Sequence, residues 1–178
     1  APEGPLVLAL NHHGFFDGHL AWLLGKLCRR PLSLLVAGEN LRAYPVLKLA
    51  GALEAGRVRE ALRRLRRGEW VALFPEGEMR YPGPLGPLRE GANWLARKAG
   101  VPLLPVALRV VLRGYEHPEA FLWVGRPLPP GGDLGRALGG LLQALDALLA
   151  KTHPREVPEG FREVLRGRRS LEERVLPL

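Results

Sequence analysis

The 178 residues carry 26 Lys and Arg against 18 Asp and Glu, a formal net charge of +8, and 47% of them are hydrophobic. This length and composition fit one domain with a substantial core and exclude a disordered or fibrous chain, while the lack of any run of about 18 apolar residues excludes a membrane-spanning helix in the sequence. The positive charge calls for an anionic partner and leaves nucleic acid, an anionic bilayer and phosphate-bearing small molecules open. In chain order, the apolar run Leu6 to Leu10 is predicted to be a buried strand, and Leu20, Leu23, Leu24 and Leu27 form the apolar stripe of a helix whose N-cap is predicted at Asp17. Leu32 to Ala37 reads as a second strand and Glu39 to Leu49 as a helix interrupted near Pro45. Gly51 to Arg57 is a short extended piece. After it, Val58, Ala61, Leu62 and Leu65 set one face of a helix whose other face is arginine, closed by Gly68. Glu69 to Phe74 is a strand, Tyr81 to Leu88 a shaped Pro/Gly connection, and Arg89 to Lys98 a helix closed by Gly100. Val101 to Val111, interrupted by Pro102 and Pro105, and Ala120 to Val124 read as strands, and Asp133 starts a long apolar helix through Ala150.

Strands alternating with helices predict an α/β protein, a single-domain three-layer α/β/α sandwich with a mostly parallel or mixed central sheet over residues 1–150. Residues 151–178 form a charged tail, expected to pack on the same domain as a short helix around Phe161, Val164 and Leu165 or to stay loose. The sole cysteine, Cys28, forbids an internal disulfide and points to a reducing, cytoplasmic setting, with Cys28 itself in the core. The absence of isoleucine and the scarcity of Thr, Ser, Met and Cys match a thermophile's composition. The chain opens at Ala1 and enters a strand almost at once, so a preceding segment of a membrane-docking kind is expected outside it.

The chemistry concentrates in Asn11-His12-His13-Gly14-Phe15-Phe16-Asp17. On one continuous helix His12 and Asp17 would point to roughly opposite faces at about 100° per residue, so a turn at Gly14 is required before they can meet. If they meet, the aspartate fixes the imidazole tautomer, the arrangement of a general base. His12, His13, Asp17 and His19 are also metal-ligand types, but their tight spacing gives no clear geometry and no second cluster follows, so no metal is expected.

Taken with three later blocks, this stretch resembles the 1-acylglycerol-3-phosphate acyltransferase (glycerolipid acyltransferase, PlsC-like) family. Asn11-His12 with Asp17 looks like its Asn-His-x4-Asp block, and Gly51 to Arg57 is similar to the second block, which ends in a phosphate-binding arginine. Phe74-Pro75-Glu76-Gly77 matches the third, and Val101 to Val106, with Pro105, the fourth. The sequence departs from the pattern at Gly38, Glu54 and Glu78-Met79-Arg80, where the third block ordinarily continues Thr-Arg-Ser. His12-His13-x3-Asp17-Gly18 also fits the HHxxxDG block of the condensation-domain and chloramphenicol-acetyltransferase group, in which the second histidine is the base.

The resemblance implies transfer of a fatty acyl group from acyl-CoA or acyl-carrier protein, as co-substrate and with no bound cofactor, to the hydroxyl of a lysophosphatidate-like glycerolipid, with His12 as base and Asp17 orienting it. Cys28, Ser33, Thr152 and Ser170 all lie outside the blocks, so direct attack by the acceptor hydroxyl is expected in place of an acyl-enzyme. Backbone N–H groups around Glu76 and Gly77 are candidate oxyanion donors. Arg57 is the first candidate for a phosphate contact, followed by Arg80 and Arg89, against a reading of Arg57 as a solvated helix residue. Glu76 either orients the acceptor or anchors its loop. The arginine helix lacks the interleaved aromatics of a nucleic-acid platform, so no nucleic acid is expected, and peripheral attachment to the anionic inner face of the cell membrane is. A non-phosphate acceptor and a non-catalytic basic binding module are the alternatives.

Overall fold

The computed structural model describes residues 3–168 and 170–175; residues 1–2, 169 and 176–178 lie outside the described residues. Six strands, β1 (Leu6–Leu10), β2 (Leu32–Val36), β3 (Leu53–Glu54), β4 (Trp70–Leu73), β5 (Leu103–Val111) and β6 (Glu119–Val124), form one sheet in the order β3-β2-β4-β1-β5-β6. All neighbours are parallel except β5 and β6, which are antiparallel. β1 is fully buried at every position, as a central parallel strand covered on both faces must be.

Alternation along β1 splits the core in two. Leu6, Leu8 and Leu10 face α1 (Asp17–Leu27) through Ala21, Leu20 and Leu24. Val7 and Ala9 face the opposite layer, with Ala61 and Leu65 of α3 (Val58–Arg66), Leu95 of α4 (Gly91–Ala99) and Leu138 of α5 (Leu134–Lys151). The predicted three-layer sandwich is therefore present, with one helix on one face and three on the other. Cys28 borders the α1 layer, partly buried.

Three expectations are corrected. Asp17 is the first residue of α1 and Phe16 its N-cap, because the Asp17 carboxylate is drawn back to the preceding loop. Pro105 does not break β5. From Val106↔Val124 to Leu103↔Leu128 the β6 side advances four residues and β5 three, so Pro105 falls at a bulge, where no ladder N–H is required of it, and its carbonyl still accepts from Gly125 N–H at 2.9 Å. The helix expected over 39–49 with an interruption near Pro45 is found as such, dividing at Tyr44 into α2 (Gly38–Ala43) and a 3-10 turn at Pro45–Lys48, since proline is tolerated only at a helix start. The tail's short helix is α6 (Leu171–Val175). Of the residues proposed to nucleate it, Phe161 packs edge-on against Phe121 and Trp123 of β6, and Val164 and Leu165 are exposed.

Candidate active site

The parallel strands deliver β1, β4 and β3 to one rim of the sheet, the carboxyl-end rim where open α/β sheets hold their ligands. At the end of β1, the fully buried Asn11 extends the pairing with β5 by its side chain: its Oδ1 accepts from Leu108 N–H at 2.8 Å and its Nδ2 donates to Leu108 O at 3.1 Å. An amide that copies a peptide group there holds the strand exit rigid.

The turn required at Gly14 is formed. Asp17 N–H donates to Gly14 O, and Asp17 Oδ2 accepts from His13 N–H at 2.7 Å, Gly14 N–H at 2.9 Å and His12 Nδ1 at 2.9 Å. A side chain at the start of a helix reaching back to preceding amides is the logic of a capping box, and here it also captures an imidazole. Because a carboxylate only accepts, His12 carries its proton on Nδ1 and presents a bare Nε2. The His12 ring stacks on Phe74 at 4.2 Å between centroids and 18° between planes, which fixes its second rotation. Its side chain is 21% exposed while that of Asp17 is 1% exposed, so the pair opens to solvent on the imidazole side only.

Phe74-Pro75-Glu76-Gly77 forms a β-turn after β4, closed by Gly77 N–H on Phe74 O at 3.0 Å, with proline in its favoured second position. Gly77 adopts φ 74°, which favours glycine, and a Cβ there would sit 2.6 Å from Arg89 Cδ, so any larger residue would displace the exposed Arg89 side chain. Since the Gly77 N–H closes the turn, it is unavailable as the expected oxyanion donor; the N–H groups of Glu76 and Glu78 take part in none of the turn's backbone bonds. Arg80 N–H donates to His12 O at 2.9 Å, joining this loop to the histidine loop, and the Arg80 guanidinium pairs with Glu78 at 2.6 Å on the surface. The acid that departs from the family block is thereby neutralised by its neighbour.

Glu76 is buried, with neither carboxylate oxygen hydrogen-bonded. Arg89 is exposed against Gly77 and is tied to the turn by its N–H on Pro75 O at 2.8 Å. Arg57, the N-cap residue of α3, is exposed just beyond β3. Three strand spacings separate β3 from β1, roughly 14 Å, so Arg57 shares the rim but does not touch the histidine loop. The other two departures from the family pattern meet each other: a Cβ at Gly38 would lie 3.2 Å from Glu54 Cδ, so the Glu54 side chain occupies space that a residue larger than glycine would claim.

Sequence reasoning missed two residues, Arg109 of β5 and Asp146 of α5. Buried Arg109 forks onto Asp146 (Nε to Oδ1 2.6 Å, Nη2 to Oδ2 2.7 Å), donates to Gly83 O at 2.7 Å, and hydrogen-bonds His13 Nδ1 through Nη1. Burial pushes the His13 imidazole below the ordinary histidine range and the Arg109 guanidinium pushes the same way, against the opposing pull of Glu76 and Asp17. The only sequence signal was an arginine inside an otherwise apolar strand. Among the described residues no group of three His, Cys, Asp or Glu converges as a metal site.

The sequence pattern of the acyltransferase family matches residues 1–109, well over half of the chain. The 1-acyl-sn-glycerol-3-phosphate acyltransferase of Pseudomonas aeruginosa is 29% identical over 85% of this chain and 65% of its own length. The N-acylphosphatidylethanolamine synthase of Arabidopsis thaliana is 28% identical over 72% of this chain and 52% of its own. The chain thus spans between half and two thirds of the length of these two relatives. Among solved structures, the 1-acyl-sn-glycerophosphate acyltransferase PlsC of Thermotoga maritima shares the fold, with a TM-score of 0.55 at 24% identity over 82% of this chain and 64% of that one. With that family pattern matching residues 1–109, the chain belongs to the acyltransferase family.

Proposed function

We propose that the protein transfers a fatty acyl group from a thioester, acyl-CoA or acyl-carrier protein, to the free hydroxyl of a lysophosphatidate-like glycerolipid. The observation that carries this reading is the His12 Nδ1 to Asp17 Oδ2 hydrogen bond of 2.9 Å, which aims an unprotonated Nε2 outward. The acceptor O–H gives its proton to Nε2 as its oxygen attacks the thioester carbonyl. The tetrahedral oxyanion collapses, the C–S bond breaks, and the thiolate takes the proton back from the imidazolium that Asp17 stabilises. No side-chain nucleophile is needed, and Cys28 and Ser33 lie on the core side of the sheet layers, away from the rim.

Arg57 and Arg89 are the cations free to meet an acceptor phosphate, Arg80 being held by Glu78. The protein works peripherally on the anionic inner face of the cell membrane, and no bound cofactor takes part. An assay of acyl-CoA and acyl-carrier protein with lysophosphatidate tests the reading. His12→Ala and Asp17→Asn should each lower kcat/KM by about 10²–10⁴-fold, and mass spectrometry after incubation with acyl donor alone should find the chain unmodified. Activity surviving in His12→Ala, or a stoichiometric adduct on Cys28 or a serine, overturns it.

A further inference from the structure

Glu76 poses a problem that the proposed reaction leaves open: a buried carboxylate with no hydrogen bond is unstable where it stands unless something holds it. Among the described residues, His13 Nε2 stands 3.5 Å from Glu76 Oε1, a separation that a small closing movement converts into a hydrogen bond. The other face of the same imidazole determines whether Nε2 can donate. Arg109 has donors only, and its Nη1 is bonded to His13 Nδ1, while Asn11 Nδ2 approaches that nitrogen at 3.4 Å. Two donors on Nδ1 require it to be the unprotonated nitrogen. Arg109 is itself fixed by its two bonds to Asp146 and a third to Gly83 O.

We propose that Asp146, Arg109 and His13 are positioning residues that lock His13 in its Nε2–H tautomer and use that N–H to hold the Glu76 carboxylate on the rim beside His12. His13 is then a neutral donor and cannot be the base, which removes the HHxxxDG assignment: its Nδ1 lone pair is occupied and its Nε2 carries a proton. The charged groups that face the imidazole are Arg109 from β5, Asp17 from α1 and Glu76 from the turn after β4, with Asp146 of α5 behind Arg109. His13 N–H is bonded to Asp17 as well, so one residue ties the orienting acid to the Glu76 turn.

The kinetic arm of the test rests on the acyl-transfer reading; the spectroscopic arm does not. Two-bond proton–nitrogen NMR of the 15N-histidine-labelled chain, assigned by loss of the signal in His13→Gln, should show His13 protonated on Nε2 and bare on Nδ1 near neutral pH. In Arg109→Met the tautomer should become mixed. His13→Gln, whose amide offers one acceptor and one donor, should keep activity within a few-fold. His13→Leu should raise the acceptor KM by roughly tenfold to a hundredfold with a smaller change in kcat. If Arg109→Met or His13→Leu does not fold, Asp146→Asn, on a half-exposed carboxylate, probes the same chain from the surface and should move the His13 signals and acceptor KM in the same direction. An Nδ1-protonated His13 in the wild type, signals unmoved in both Arg109→Met and Asp146→Asn, or His13→Gln as inactive as His13→Leu overturns the proposal. A wild type without acyltransferase activity but with the expected tautomer overturns the proposed reaction and leaves the positioning chain standing.

Discussion

Two adjacent histidines in this chain have opposite chemical states because of what touches Nδ1. On His12 it is a carboxylate, which forces the proton onto Nδ1 and frees Nε2; on His13 it is a guanidinium, which forces the proton onto Nε2. The sequence spacing pointed to His12 through Asp17, five residues away. It could not point to the state of His13, which depends on Arg109, 96 residues later, and on Asp146, 37 beyond that; no periodicity links positions so far apart. A stability consequence follows. The His13 pKa is depressed in the folded state, so on acidification below its ordinary value of 6.5 the unfolded chain binds the proton first. More protons on the unfolded state means that stability rises with pH through this window and is lost as pH falls. Urea denaturation at pH 7.5 and 5.5 should therefore show a loss on acidification in the wild type that is smaller in His13→Gln. Equal losses in the two proteins would contradict the assignment.

Elements were legible where one physical signal dominated: the continuous apolar run of β1, the 3.6-residue stripe of α3, the glycine that closes α4. They were misread where the deciding feature lay on another element. Pro105 looked like a strand breaker because the bulge that accommodates it belongs to the segment after β6. Asp17 looked like a cap because the donors its carboxylate accepts from, two amides and a ring nitrogen, come from the loop before it. Gly77 was legible as a point of close approach, though what approaches is Arg89 and the amide is spent on the turn. Two glycines separate backbone cost from contact cost. Gly77 (φ 74°) lies against Arg89, whereas Gly100 (φ 65°), which closes α4, has nothing within 4 Å of a built Cβ. Alanine at either should cost about 1–2 kcal/mol in urea unfolding, from the left-handed backbone alone. Only Gly77→Ala should also raise the acceptor KM, by displacing Arg89; if Gly100→Ala raises it equally, Arg89 is not part of the acceptor site.

At the scale of the molecule, apolar exposure falls on the rim that carries the chemistry, in a chain of positive net charge. The chain has a formal net charge of +8, and the loop between β1 and α1 presents Phe15 and Phe16, 63% and 53% exposed, within four residues of His12. A bare phenylalanine pair costs free energy in water, and aromatics beside the proposed acceptor site would be covered if the rim settled into a headgroup layer. No helix among the described residues is long and apolar enough to cross a membrane. Each basic residue near an anionic leaflet contributes about 1 kcal/mol, and that attraction is screened by salt. Co-sedimentation with vesicles containing anionic phospholipid should therefore exceed that with purely zwitterionic vesicles and fall steeply as salt is raised. Phe15→Ser/Phe16→Ser should weaken binding at every salt concentration, because insertion of the rings is not electrostatic, while turnover of a short-chain acceptor soluble as a monomer stays close to wild type. Binding that ignores both salt and the double substitution would place the membrane contact somewhere other than the active-site rim.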